Sequence, residues 1–249
     1  MDNLTAALAD PVEMDLLHMV TADPQRTPTL TMFAHPDYFL FTGMANCSSP
    51  CITVPTTPPT STFAWNHGGI QPEIATIWLG IVGPGVSNLG QDDRTWSDHT
   101  DVRPTMLALL GLRDTYIHDG RVLTETIDKH VQPGRLRDHT HALKKFANIY
   151  KQINAPFGQL GIDSLKVSTA ALASGDSAND DIYFALTNKI VNWTSERDAI
   201  ADEMRAMLNA AAFNDEFFNE VRGTQLTAQA EALLEEVHSC AADIASCAQ

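Results

Sequence analysis

The chain is poor in positive charge. Against 31 Asp and Glu it carries 16 Lys and Arg, for a formal net charge of −15. Such a surface repels phosphate backbones, so nucleic-acid binding through bulk electrostatics is excluded as a function class. A small phosphate ester stays admissible, because bound divalent cations invert the local field. Long apolar runs are also missing, and no stretch approaches a transmembrane span. Met1 to Pro11 has neither a basic n-region nor a long apolar h-region, so no secretory signal is read there. A Gly-rich phosphate loop, a Gly-x-Ser-x-Gly elbow and a His-Glu-x-x-His motif are all absent, as is any repeat of fixed period.

Cysteine is scarce, with four residues in two pairs. Cys47 and Cys51 flank Ser-Ser-Pro in a loop rich in Pro, Thr and Ser, a setting that fits a small disulfide in an oxidising compartment, with free thiols as the alternative. Cys240 and Cys247 are seven residues apart on an expected helix. They share a face there, but they lie too far apart along the axis for an unstrained bond within it.

What is present is ordinary globular material. The 249 residues are 44% hydrophobic and 19% charged, enough for a real core in one domain or two small ones. A short helix is expected around Met14 to Met19, a strand over Thr29 to Phe33 and a second over Tyr38 to Phe41. Thr42 to Thr62 reads as a surface loop. Ile74 to Val82 is apolar on both faces, the pattern of a central strand covered by helices. After Asp101 a helix is expected with Met106, Leu107, Leu109 and Leu110 on its buried side and Gly111 as its stop. Beyond about residue 127 the pattern turns helical. Leu136, Leu143, Phe146, Ala147 and Tyr150 recur at helical spacing, and further helices are expected over 161–174, 180–193, 195–212 and 225–240. Ser195-Glu-Arg-Asp198 resembles a capping box that would open one of them.

Two clusters could carry chemistry. His67 sits in Phe63-Ala-Trp-Asn-His-Gly-Gly69, just ahead of the apolar segment. The glycine pair leaves backbone room for a substrate, and a rigid element follows. It reads either as a metal ligand or as a loop histidine donating to a carbonyl. Asp98-His-Thr-Asp101 is the second cluster. Asp101 or Thr100 would cap the following helix. Asp98 and His99 could line a pocket, and His99 could instead position a phosphate or hydrogen-bond across the loop.

Together the Asn66-His-Gly-Gly run, the strand with its Gly83-Pro-Gly85 turn, and the Asp98–Gly111 block resemble the last part of the catalytic domain of alkaline-phosphatase-superfamily phosphoesterases. The type I phosphodiesterase and nucleotide pyrophosphatase branch is the nearest in kind. The resemblance covers roughly residues 15–127, and the helical remainder is similar to a C-terminal extension on some secreted bacterial relatives. It implies an α/β fold, here a partial alkaline-phosphatase-like sheet segment over 1–127, followed by an all-helical subdomain over 128–249. It implies hydrolysis of a small phosphodiester or phosphomonoester, a divalent metal (zinc in most of the family) and His67 as one of its ligands. Such enzymes use a metal-bridged Thr or Ser nucleophile, which the metals activate. No such nucleophile segment and no Asp-His-Gly motif precede His67, so the expectation is an N-terminally incomplete enzyme that associates with a missing N-terminal portion. The intact family is secreted. A sulfatase-like relative would need Cys-x-Pro-x-Arg, which neither Cys47 nor Cys51 has. The competing expectation is a non-catalytic protein that uses its helical tail for association. An incomplete sheet would expose an edge and lower solubility.

Overall fold

The computed structural model describes residues 5–36, 38, 68–138, 140–174 and 180–249. His67, Cys47, Cys51 and most of the strand expected over Tyr38–Phe41 fall outside these residues. The described chain is mostly helical with one small sheet. In order it runs β1 (Thr5–Ala9), α1 (Pro11–Leu16), β2 (Thr31–Ala34), α2 (Pro72–Ala75), a 3₁₀ turn (His99–Asp101), α3 (Val102–Leu109), α4 (Gly134–Asp138), α5 (Thr140–Asn154), α6 (Gln159–Ser174), α7 (Asp181–Phe213), α8 (Glu220–Ala242) and α9 (Ile244–Cys247). A mixed α/β chain with a helical bulk is therefore what the sequence folds into.

Helices α5, α6, α7 and α8 all pack on one another and form the body. Their facing stripes bury Leu143, Phe146 and Tyr150 from α5, Leu160 and Leu165 from α6, Ile190, Trp193 and Met204 from α7, and Leu226 and Leu233 from α8. Phe146 meets Phe218 edge-to-face at 5.1 Å between ring centroids, the arrangement that aromatic quadrupoles favour. α7 contains neither Gly nor Pro over its 33 residues, so nothing in its backbone stops it. The separate helices expected over 180–193 and 195–212 are one. Ser195 is exposed in its middle, while Trp193, Thr194 and Arg197 continue the buried stripe. The capping pattern yields to uninterrupted packing.

The N-terminal residues belong to this body. β1 pairs antiparallel with β2, with Ala7 opposite Phe33 and Leu8 opposite Met32. The other edge of β1 faces α6, where Thr169 Oγ1 accepts from Leu8 N at 3.0 Å and Ser168 Oγ donates to Leu8 O at 3.0 Å. Side chains of a helix thus stand in for a third strand. α1 opens on Asp10, whose carboxylate accepts from Val12 N and Glu13 N, with Pro11 in the first turn. It buries Met14, Leu16 and Leu17. One hydrophobic cluster runs from Ala7 in β1 to Cys240 in α8, so the division expected at 127/128 does not separate two cores.

Three local expectations are corrected. Ile74–Val82 is not a buried strand: Pro72–Ala75 is a short helix, and the chain then runs extended and exposed, with Trp78 at 89% and Val82 at 99%. No described strand lies beside it to supply a ladder. α3 buries Pro104, Thr105 and Ala108, whereas Met106 and Leu110 face outward. Its stop is as expected. Gly111 takes φ +64°, and Leu112 N returns to Leu107 O at 2.9 Å. Cys240 and Cys247 form a disulfide with Cα atoms 5.0 Å apart, because the helix breaks at Asp243 and α9 folds back. The distance argument assumed a continuous helix.

Glu13 is fully buried under α6 and α7. Ser164 Oγ donates to Oε1 at 2.8 Å, and Oε2 has no partner. Burial pushes its carboxyl up from 4.5 to about 8, with Ser164 opposing and the Asp10 charge adding. The folded state therefore holds a proton that the unfolded state releases above 4.5. The stabilising effect is complete below that pH, declines as pH rises and is lost through about 8. Glu13→Gln mimics the protonated acid and should remove a component of about 1.4 kcal/mol per pH unit from the pH slope of unfolding in that window, read by urea denaturation at stepped pH.

Candidate functional site

The 3₁₀ turn before α3 is built by a reciprocal pair of carboxylates. Asp98 Oδ1 accepts from Thr100 N at 2.9 Å, and Asp101 Oδ2 accepts from Asp98 N at 3.0 Å. Each carboxylate satisfies an amide that the helix start leaves unpaired, the logic of a capping box. Asp101, which is fully buried, also accepts from Arg121 N on its other oxygen at 2.8 Å.

A buried lysine from the helical body completes the group. Lys151 lies on α5 one position from Tyr150, and its ammonium enters the turn. It sits 2.8 Å from Asp98 Oδ2 and 3.4 Å from Asp101 Oδ1, and donates to Thr100 Oγ1 at 2.9 Å. The Trp96 ring lies 5.7 Å from the same nitrogen, within cation–π range. All three donor positions of the ammonium have acceptors. Arg121 adds a second tie, donating to Glu125 Oε2 at 2.8 Å and to Trp96 O at 3.2 Å.

The loop that supplies Arg121 is held by the same two helices. Tyr150 Oη donates to Asp119 O at 2.8 Å, Arg205 Nη1 to Asp119 Oδ1 at 2.7 Å, and Asn209 pairs with both backbone groups of His118. Gly120 is required by the close approach. A Cβ there would stand 2.1 Å from Thr100 O and 2.6 Å from Asp101 N. Side chains of α5 and α7 thus press one loop against the Asp98–Asp101 turn.

The two carboxylates are driven in opposite directions. For Asp98 burial raises the pKa, but the Lys151 charge and the hydrogen bonds from Lys151 and Thr100 outweigh it, and the net shift is downward. For Asp101 burial dominates over Lys151 and the Arg121 amide, and the net shift is upward. The Asp98 side chain keeps 25% exposure, so it is the member of the pair that reaches solvent. His99 is exposed on the next residue, with no side-chain partner among the described residues.

Asp98 and His99 are thus adjacent at the surface, and Asp98 is committed to a structural turn. They do not line the cavity of about 160 Å³ found between α5 and α8, whose walls include Lys145, Phe218, Thr224 and Glu231. Among the described residues no group of three or more His, Cys, Asp or Glu is arranged to hold a metal ion. His67 lies outside those residues. Sequence reading missed Lys151, although a lysine four residues after Ala147 on an otherwise apolar stripe signals a buried partner. It missed Glu13 and Arg197 for the same reason. Comparison with protein-family models, with curated proteins and with solved structures finds no match.

Removing the ammonium leaves Asp101 buried without its counter-charge. Lys151→Met should cost about 3–5 kcal/mol, measured by urea denaturation, and Lys151→Met with Asp101→Asn should recover part of that loss. An unchanged midpoint in the single variant would mean that the clamp does not hold the turn.

Proposed function

We propose that this chain carries part of a metal-dependent phosphoesterase of the alkaline-phosphatase superfamily, acting on a phosphodiester or phosphomonoester. The reading rests on the sequence resemblance. One structural observation supports it, the Asp98–Asp101 turn that leads into α3, at the place where the resemblance puts the Asp98-His-Thr-Asp101 block.

The described residues do not by themselves fit a zinc. Such a site needs three or four protein ligands, and the oxygens of Asp98 and Asp101 are taken by Lys151, Thr100 and backbone amides. In this proposal His67 contributes one ligand, and the remaining ligands and the nucleophile come from elsewhere. A second reading, a non-catalytic protein acting by association, is favoured by the exposure of Ile77, Trp78 and Val82 at 63%, 89% and 99%.

Metal content and turnover of bis-p-nitrophenyl phosphate, measured on the same purified sample, separate the two. The phosphoesterase reading expects stoichiometric zinc that is lost in His67→Ala, with turnover falling at least a hundredfold. Absence of both in the unaltered chain would mean that the site is incomplete here, which ends the reading of this chain as a working phosphoesterase and leaves an inactive portion or an association protein.

A further inference from the structure

Between Glu73 and Asp92 the chain has no charged side chain, although its formal net charge is −15. Inside that neutral stretch Thr76–Val82 runs extended. Among the described residues no backbone N–H or C=O of residues 77–82 takes part in a backbone hydrogen bond. Paired as a strand, Ile77, Leu79 and Ile81 would share one face and Trp78, Gly80 and Val82 the other. Leu79 is 45% exposed and Ile81 partly covered, against 89% for Trp78 and 99% for Val82. Ile77 is 63% exposed, so apolar side chains of both parities and the backbone edges are bare.

We propose that this segment is where two copies of the chain pair, as a two-fold antiparallel ribbon centred on Leu79. Two-fold antiparallel strands must keep each residue on the same face in both copies, so the ribbon centres on a residue and not between residues. Centring on Leu79 sets Leu79 against Leu79 of the second copy, Ile77 against Ile81, Trp78 against Gly80 and Thr76 against Val82. The Trp78 ring already folds toward Gly80, 3.2 Å from where a Cβ would stand. In the ribbon it covers the other copy's Gly80, the pairing by which aromatic side chains compensate strand glycines. A centre on Gly80 would set Thr76 against Pro84, which has no N–H to donate.

Charge and area both point to a second copy. Two chains of this net charge repel, and a contact through 74–91 is one that brings no like charges opposite each other. Centring on Leu79 places Glu73 opposite Gly85. Ile77, Trp78, Leu79 and Val82 together expose on the order of 600 Å², near the upper end for a monomer's apolar patch. A standard interface buries about 800 Å² per partner, so covering this patch would supply most of one. This association is independent of the phosphoesterase reading.

Sedimentation equilibrium of the full chain tests it. The expected result is a monomer–dimer equilibrium that tightens as salt screens the net charge, and that weakens at least tenfold in Leu79→Lys, where two ammonium groups would face each other. The register is read separately. Leu79→Cys should give a cross-linked dimer on mild oxidation, and Trp78→Cys mixed with Gly80→Cys should cross-link where neither does alone. Peptide mass spectrometry identifies the bridged positions. A monomer at every concentration, open-ended oligomers, a dimer indifferent to Leu79→Lys, or cross-links in another register would each overturn the proposal.

Discussion

One buried ammonium ties the helical body to the turn that leads into α3. Lys151 rises from the helical body into a turn 50 residues upstream, where Asp98, Thr100 and Asp101 receive it. The turn caps α3, and the loop carrying Gly120 and Arg121 packs on it at backbone contact. The cation is tolerated because each of its protons has an acceptor, and the carboxylates are tolerated because the cation is there. α3 is held here and through Thr105, whose Oγ1 accepts from Leu123 N at 2.9 Å, and the segment before it pairs Val86 with Ile127.

The same principle seats the N-terminus. Arg197 on α7 donates to Leu16 O at 2.9 Å, at the end of α1, and its Nη1 lies 3.1 Å from His18 Nε2. Tyr183 donates to Asp10 at the start of α1, and Ser164 donates to Glu13 within it. Polar groups from α6 and α7 thus grip α1 along its length, while Met14, Leu16 and Leu17 join the core. By contrast, the apolar stretch 77–82 has no such attachment among the described residues. The chain places well-paired charges inside and leaves neutral apolar residues of this stretch outside, an inversion of the usual partition.

Much of the helical body was legible in sequence. Leu143, Phe146, Ala147 and Tyr150 recur at helical spacing and are all buried in α5, and Gly111 stops α3 as its position implies. The cap was read at the wrong residue: Asp101 makes no side-chain bond to the first-turn amides of α3, and Asp98 is the residue that accepts, from Thr100 N at 2.9 Å. Lys151 was not legible, since a lysine is read as surface unless its partners are known, and these lie at Asp98 and Asp101. Nor was the Cys240–Cys247 bond, which depends on a helix break at Asp243 that no Gly or Pro announces.

By itself the sequence determined periodicity, the net charge of −15 and the neutral stretch between Glu73 and Asp92, because these depend on neighbours within a few residues. Tertiary structure alone decided which apolar segments found cover. Ile77–Val82 and the leucines of α3 have equally hydrophobic patterns, yet the segment and Met106 and Leu110 face outward while Ala108 is buried. Burial requires a second surface at van der Waals distance, and a pattern along one strand or helix does not specify where that surface is.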